Sequence, residues 1–204
     1  MKLLKQFLSG TTALAFGVLL FAGTSHSADW KVKPASDWGD PEVRMLDPAP
    51  ELNLAFTWTG KTNQRKEGEG YGTLIWRKAD SNDILSVYKG EMKAGGRDGF
   101  GVWEHRSGSK YQGEWGNNVK HGFGEYWHYS GLYLKGTFEN DKMEGQGTWI
   151  GADGIEYDGP FKEGKRHGTA TLTYPDGTTR ISEWADDEEV TTGTADLLPY
   201  IQIG

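Results

Sequence analysis

The chain has 204 residues and a formal net charge of −7. This acidic balance argues against a general nucleic-acid binder and against binding to anionic membranes, because both need a basic surface. The chain contains no cysteine, which excludes disulfides, cysteine-ligated metal sites and thiol nucleophiles. Its 30 glycines are about twice the usual share and indicate many turns or a repeat.

Residues 1–27 follow the order of a secretory signal peptide. Two lysines precede the apolar run 13–22, and the small residues Ser25 and Ser27 come after it. We predict cleavage after Ser27. An uncleaved anchor is the less favoured alternative, because the run is about half of what a bilayer helix needs. The protein is therefore predicted to be exported, and the lack of disulfides favours a bacterial periplasm or secretion from a bacterium.

The stretch 28–54 is predicted to be an irregular, extended arm. It carries four prolines, which remove backbone donors and prevent a long regular element. They are Pro34, Pro41, Pro48 and Pro50. Trp30 and Trp38 are large apolar side chains that can be buried, so we expect the arm to pack on the first edge of the folded part. A linker to the cell envelope is the alternative, although a pure linker rarely carries two tryptophans.

A 23-residue repeat occupies the middle of the chain. Three glycine series share this period, which chance does not explain. They are Gly90, Gly113, Gly136 and Gly159; Gly99, Gly122, Gly145 and Gly168; and Gly108, Gly131, Gly154 and Gly177. A stretched first copy contains Trp58 and the segment 70–72, and a decayed start lies at 180–184 with Ser182 in the glycine place. The repeat domain is predicted to span residues 55–184, and residues 185–204 an acidic tail.

Each repeat shows the alternation of strands. Tyr111, Gly113 and Trp115 alternate with polar residues, and nothing recurs at helical spacing. Residue pairs suited to tight turns separate the two strands of each copy. These pairs are Ala94-Gly95, Asn117-Asn118, Asn140-Asp141 and Glu163-Gly164. Each copy is therefore predicted to be a β-hairpin, and the fold class all-β.

The large aromatic residues and the strand glycines occupy alternate positions of each strand, so they lie on the same face of the sheet. A ring from one strand can cover a glycine of its neighbour, which explains glycines that would otherwise weaken a strand. The opposite face is predicted to be polar, with Phe100, Val102 and Trp127 as exceptions. One such hairpin cannot fold alone, so the copies are expected to stack on one another.

The segments 111–126 and 157–168 resemble MORN repeats, whose pattern is Tyr-x-Gly, a polar turn, then Gly-x-Gly and an aromatic residue. The resemblance covers about residues 56–184 in five copies. Departures from the pattern are Trp58 and Leu134 in the tyrosine place, Ala170 in a glycine place, and the stretched first copy. The resemblance implies an elongated, twisted antiparallel sheet of hairpins. It also implies a scaffold, a protein-binding or dimerising surface or a lipid-binding element, without catalysis.

Other apparent motifs are better explained by the repeat. The segment 159–165 spells most of a phosphate loop, but Arg166 replaces the magnesium-binding hydroxyl and the register places it in a hairpin. His105 and His128 lie two strands apart, about 9–10 Å, which is too far to share one ion. The acidic run 186–189 is interpreted as protection of the last sheet edge. We therefore predict no metal, no cofactor and no enzymatic activity.

The sequence favours an exported, non-enzymatic scaffold whose ringed face binds a protein partner or a second copy. A glycan-binding module of the cell envelope is the first alternative, and lipid headgroups the second. A third interpretation is that the rings only pack, so that function lies in the loops or termini. The candidate binding residues are Tyr88, Trp103, Tyr111, Trp115, Tyr126, Trp149 and Tyr157.

Overall fold

The computed structural model describes residues 30–32, 44–46 and 54–190. Every regular element within these ranges is a β-strand, as the sequence predicted. Within the same ranges, no helix is long and apolar enough to cross a membrane. The predicted signal peptide, most of the arm and residues 191–204 lie outside the described residues.

Sixteen strands follow one another along the described chain. The arm contributes β1 (Trp30–Val32) and β2 (Arg44–Leu46). The remaining strands are β3 (Leu54–Trp58), β4 (Lys61–Thr62), β5 (Gly68–Lys78), β6 (Ile84–Lys93), β7 (Gly96–His105), β8 (Lys110–Gly116), β9 (Val119–Trp127), β10 (Tyr133–Glu139), β11 (Lys142–Ile150), β12 (Glu156–Lys162), β13 (Lys165–Arg166), β14 (Gly168–Thr173), β15 (Thr179–Ala185) and β16 (Glu188–Val190).

Strands β3 to β16 form one open antiparallel sheet. The order from one edge to the other is β16-β15-β14-β12-β11-β10-β9-β8-β7-β6-β5-β3, with the short β13 on β12 and β4 on β5. Successive strands on this path are neighbours in sequence, except that the path passes over the short β4 and β13. The glycines align across it, since Gly101 pairs with both Gly90 and Gly113, and Gly124 with both Gly113 and Gly136. The predicted array of hairpins is confirmed.

The hairpins close through two-residue turns in which both residues have positive φ. Asn117 and Asn118 have φ of 49° and 72°, and Asn140 and Asp141 have 50° and 70°. This conformation matches the twist of the flanking strands, and asparagine, aspartate and glycine tolerate it best. All four predicted turn pairs have this conformation.

The C-terminal boundary differs from the predicted one. Asp186 and Asp187 have φ of 53° and 73° and form a fifth turn of the same kind, after which β16 pairs back on β15. The sheet therefore runs to Val190 and not to 184. The acidic run supplies a turn, because aspartate accepts positive φ, and only Glu188 and Glu189 lie in the edge strand.

The core is a row of apolar side chains on one face of the sheet, which we call the core face. It is built from alternate residues of each strand, among them Tyr88, Tyr111, Phe138 and Tyr157. The arm adds Met45, which is fully buried and lies over Gly68, so this part of the arm packs on the sheet as expected.

Candidate interaction surface

The predicted binding rings divide into buried and partly exposed groups. Tyr88, Tyr111 and Tyr157 have exposures of 1%, 0% and 0%, and Trp115 of 6%. Trp103, Tyr126 and Trp149 pack beside them and keep part of their surface in solvent. The first four rings therefore form the packing layer of the sheet, and only the last three are open to a partner on the core face.

The buried tyrosines cover strand glycines, as the sequence predicted. A Cβ placed on Gly124 would lie 2.6 Å from Cζ of Tyr111, and one on Gly101 would lie 2.5 Å from Cζ of Tyr88. Each buried tyrosine also donates its hydroxyl proton to the backbone carbonyl three residues later, at 2.9 Å from Tyr111 to Glu114. Burial raises the pKa of the Tyr88 and Tyr111 hydroxyls above the usual value.

The stretched first copy packs in the same way. A Cβ on Gly72 would lie 2.6 Å from Cζ2 of Trp58, so this indole covers a glycine as the tyrosines do. Its Nε1 donates to the carbonyl of Lys61 at 2.8 Å, again three residues along. Trp58 thus stands in the tyrosine place structurally as well as in sequence.

The fourth copy covers its glycines with a different residue. Leu134 stands in the tyrosine place, and the methyl group of Met143 fills the space that a tyrosine ring takes elsewhere. A Cβ on Gly136 would lie 2.8 Å from that methyl carbon. Met143 is buried at 3% exposure and stands where the neighbouring repeats have Lys120 and Arg166. Met143 thus compensates for the missing tyrosine ring at Leu134, which explains both departures from the repeat pattern together.

A polar contact that the sequence analysis missed joins the tips of successive hairpins. The amide of Arg97 donates to Oδ1 of Asn118 at 2.8 Å, and its guanidinium donates to the Asn118 carbonyl at 2.7 Å. The amide of Asn118 donates back to the Arg97 carbonyl. We call this contact the tip bracket; it recurs as Lys120 with Asp141 and as Arg166 with Asp187. These residues recur with the same 23-residue period, which is the sequence signal from which the contact could have been predicted.

The cations of the tip brackets lie against core rings. Arg97 sits 4.1 Å from the ring centroid of Trp115, and Arg166 sits 4.0 Å from that of Trp184. Burial lowers the pKa of Arg97 to about 10, and it also lowers the pKa of Lys120, partly offset by Asp141. These cations therefore hold hairpin tips in register and are not free to bind an anion from solution.

Replacing Asp187 by alanine is expected to lower the free energy of unfolding by about 1–2 kcal/mol. The substitution removes the acceptor for the amide and the Nε of Arg166, at 3.0 and 3.1 Å. Asp187→Asn is the matched control, because Asn118 serves Arg97 in the same place, and it should cost less than about 0.5 kcal/mol. Urea unfolding measures both, and equal losses for the two variants would contradict the bracket.

Three large rings project from the opposite face, which we call the outer face. Tyr71, Phe100 and Phe123 are 72%, 50% and 52% exposed. Each stands between two strand glycines at the same repeat position, on β5, β7 and β9. They form a straight row across the sheet, since Gly72, Gly90, Gly101, Gly113 and Gly124 pair in succession beside them. We call these three residues the outer aromatic row; of the three, only Phe100 was predicted from sequence as an apolar residue on this face.

Two glutamates stand in the strands between these rings. Glu91 on β6 pairs with Tyr71, and Glu114 on β8 pairs with Phe100. Oε1 of Glu114 accepts the amide proton of Phe123 at 3.2 Å, which fixes its carboxylate beside that ring. Within the described part of the chain neither glutamate forms an ion pair. The row thus alternates rings with carboxylates.

Among the described residues, no cluster of three or more histidine and acidic side chains is arranged to hold a metal ion. His105 and His128 each hydrogen-bond a serine two residues later, at 2.8 and 2.7 Å. They shape the return turns between repeats.

Comparison with solved structures finds a likeness to the TCP domain of SAS-4 (dCPAP) of Drosophila melanogaster, solved in complex with a proline-rich motif of Ana2 (dSTIL). The identity is 18%, the match covers 53% of this chain and 57% of that chain, and the TM-score is 0.33. The chain therefore spans little more than half of that domain, and a TM-score this low does not establish a shared fold. No curated protein matches the chain significantly.

The family model of the MORN repeat matches four stretches, residues 88–110, 111–133, 135–156 and 157–179. Their boundaries follow the 23-residue register, so each match begins at or next to the tyrosine place. The first copy, around Trp58, is not among them, although its hairpin continues the same sheet. Residues 88–179 of this chain therefore match the MORN-repeat model in four successive stretches.

Proposed function

We propose that the chain is an exported, non-enzymatic repeat scaffold that binds a protein partner, or a second copy of itself, through the outer face of its sheet. The observation that carries this proposal is the outer aromatic row, Tyr71, Phe100 and Phe123, each at least half exposed. Aromatic residues are enriched where proteins meet and contribute much of the binding energy there. MORN repeats on a sheet without a further domain in residues 54–190 support the scaffold role.

The core face offers a smaller second surface. Of the seven rings proposed from sequence, only Trp103, Tyr126 and Trp149 retain exposed area, and Arg166 already lies 4.9 Å from the Trp149 ring centroid. Replacing any of the four buried rings is expected to destabilise the sheet, so binding by such a variant has to be measured on its folded fraction. Partner binding is therefore best tested on the outer face.

The test is capture of partner proteins by immobilised mature protein, together with its sedimentation. The variant carries Phe100→Ala and Phe123→Ala. We expect its affinity for captured partners, or for a second copy, to fall at least tenfold, while its melting temperature stays near that of the parent. Ile181→Ala is the matched control, since this residue is 73% exposed on β15, outside the row. Capture and self-association unchanged by the double variant would contradict the proposal.

Glycan binding is the second candidate and rests on the same three rings, because regularly spaced aromatic faces also suit stacking on sugars. Soluble peptidoglycan fragments that compete with captured protein, and lose affinity for the double variant, would favour it. Lipid headgroups are disfavoured by the net charge of −7.

Export rests on the sequence pattern of residues 1–27. It predicts that protein recovered from the periplasm or the medium begins at Ala28, which N-terminal sequencing checks. Full-length protein in the cytosol would contradict it.

A further inference from the structure

We propose that the outer aromatic row binds an extended, proline-rich segment of a partner in the polyproline II conformation, with one proline against each ring. This rests on the proposed function, because it names the class of partner for the same surface. The row supplies three exposed rings, Tyr71, Phe100 and Phe123, on every second strand.

The spacing of the rings matches one turn of that helix. Successive rings stand two strands apart, which places the backbones that carry them about 9.4–9.8 Å from one another. Polyproline II rises about 3.1 Å per residue with three residues per turn, so every third residue returns to the same face after about 9.3 Å. Three rings therefore meet residues i, i+3 and i+6 of one segment with an accumulated mismatch of about 1 Å or less.

Other backbone conformations fit the row less well. A β-strand presents one face every second residue, at about 6.6–6.8 Å, and its third residue points away. An α-helix returns to the same face every 3.6 residues, or about 5.4 Å, so two turns span about 10.8 Å and the error over two intervals reaches about 2–3 Å. Polyproline II also has little conformational entropy to lose on binding when it is rich in proline, which is why such segments dock on aromatic surfaces.

The twist of the sheet is compatible with this segment. Adjacent strands rotate by about 20–25°, so each ring is turned about 40–50° from the one before it. A polyproline II segment has no internal hydrogen bonds to break. It can follow this rotation if its twist about its own axis changes by about 15° per residue. That change is within the ordinary scatter of backbone dihedrals.

The carboxylates between the rings add a charge preference. Glu114 is held by the amide of Phe123 at 3.2 Å, and no described cation pairs with it. Glu91 has Lys89 and Lys93 two residues away on either side in its own strand, whereas Glu114 has Gln112 and Gly116 at the same spacing. A basic residue is therefore expected in the segment between the second and third prolines, opposite Glu114.

The experiment measures binding of a fluorescein-labelled synthetic peptide, Pro-Ala-Lys-Pro-Ala-Lys-Pro-Ala-Lys-Pro, to the mature protein by fluorescence anisotropy. A peptide of the same composition with its prolines out of the three-residue spacing is the comparison ligand. We expect the spaced peptide to bind at least tenfold more tightly than the comparison ligand. Equal affinity for the two peptides would overturn the proposal.

Variants locate the binding on the row. Phe100→Ala and Phe123→Ala are each expected to weaken the spaced peptide about tenfold. Glu114→Gln should weaken it severalfold and reduce the dependence on salt. Ile181→Ala is the control and should bind as the parent does, since this side chain is as exposed as Tyr71 but lies far along the sheet. Circular dichroism and melting confirm that each variant is folded.

The outcomes separate this inference from the proposed function. If the peptide does not bind but the double variant still loses a protein partner or dimer, the outer face is a protein surface and the proline-rich occupant is wrong. If peptidoglycan fragments bind in place of the peptide and depend on Phe100 and Phe123, the occupant is a glycan. If neither ligand binds and self-association is unaffected, both proposals fail.

Discussion

Replacing Gly124 by valine is expected to lower the free energy of unfolding by about 3 kcal/mol, in spite of the better strand propensity of valine. A Cβ on this residue would lie 2.6 Å from Cζ and 2.7 Å from Cε2 of Tyr111. The ring cannot retreat, because it is fully buried and stacks edge-on against Trp115 and Phe138 at 5.0 and 5.4 Å. For a chain of this size the melting temperature should fall by about 6–12 °C.

Two further variants test the reason for this loss. Gly116→Ala should be nearly neutral, because a Cβ there meets only His121, at an ordinary 3.5 Å. Gly124→Ala combined with Tyr111→Leu should cost less than the sum of the single changes, since the three nearest atoms to the added Cβ all belong to Tyr111. An unchanged or raised melting temperature for Gly124→Val would show that rings over glycines do not limit the sheet.

Replacing Tyr111 by alanine is expected to cost about 3–5 kcal/mol, the usual range for deleting a buried ring. The change opens a cavity above Gly113 and Gly124 and leaves Trp115 and Phe138 without their central partner. Urea unfolding followed by tryptophan fluorescence measures the loss. A loss of stability without a matching loss of partner binding in the surviving folded fraction is the expected signature of a packing residue.

Tyr111→Phe separates the ring from its hydroxyl. This variant keeps the ring but removes the 2.9 Å hydrogen bond to the Glu114 carbonyl, so about 1 kcal/mol should be lost. A folded, stable Tyr111→Ala protein that fails to bind its partner would instead assign Tyr111 a direct role in binding.

The periodicity of the sequence predicted the architecture because each local signal agrees with the next. Turn pairs such as Asn117-Asn118 accept positive φ, and alternating residues define the two faces of each strand. The glycines of the neighbouring strand are covered by a ring such as that of Tyr111. Trp58 was placed correctly in the tyrosine position for the same reason. These features depend on residues within one or two neighbouring strands, which a repeat register locates directly.

The candidate site was predicted less well because periodicity does not show how far a side chain reaches or what covers it. Tyr88 and Tyr157 were interpreted as possible binding rings, yet lying over glycines leaves them at 1% and 0% exposure. Arg97 and Asn118 are 21 residues apart in two different hairpins, so their pairing is visible only in the three-dimensional register. Met143 could be recognised as a substitute for a tyrosine only once its methyl group was found over Gly136.

The order of strands in the sheet has a consequence for how the chain folds. From β5 to β12 each strand is hydrogen-bonded to the one before and the one after it in sequence, so no pairing waits for a distant segment. β-proteins usually fold slowly because their pairings are non-local, and loop closure must come first. Here any hairpin can serve as the nucleus and its neighbours can add to it in turn. The earliest hairpins can therefore form and dock while the later ones are still being synthesised.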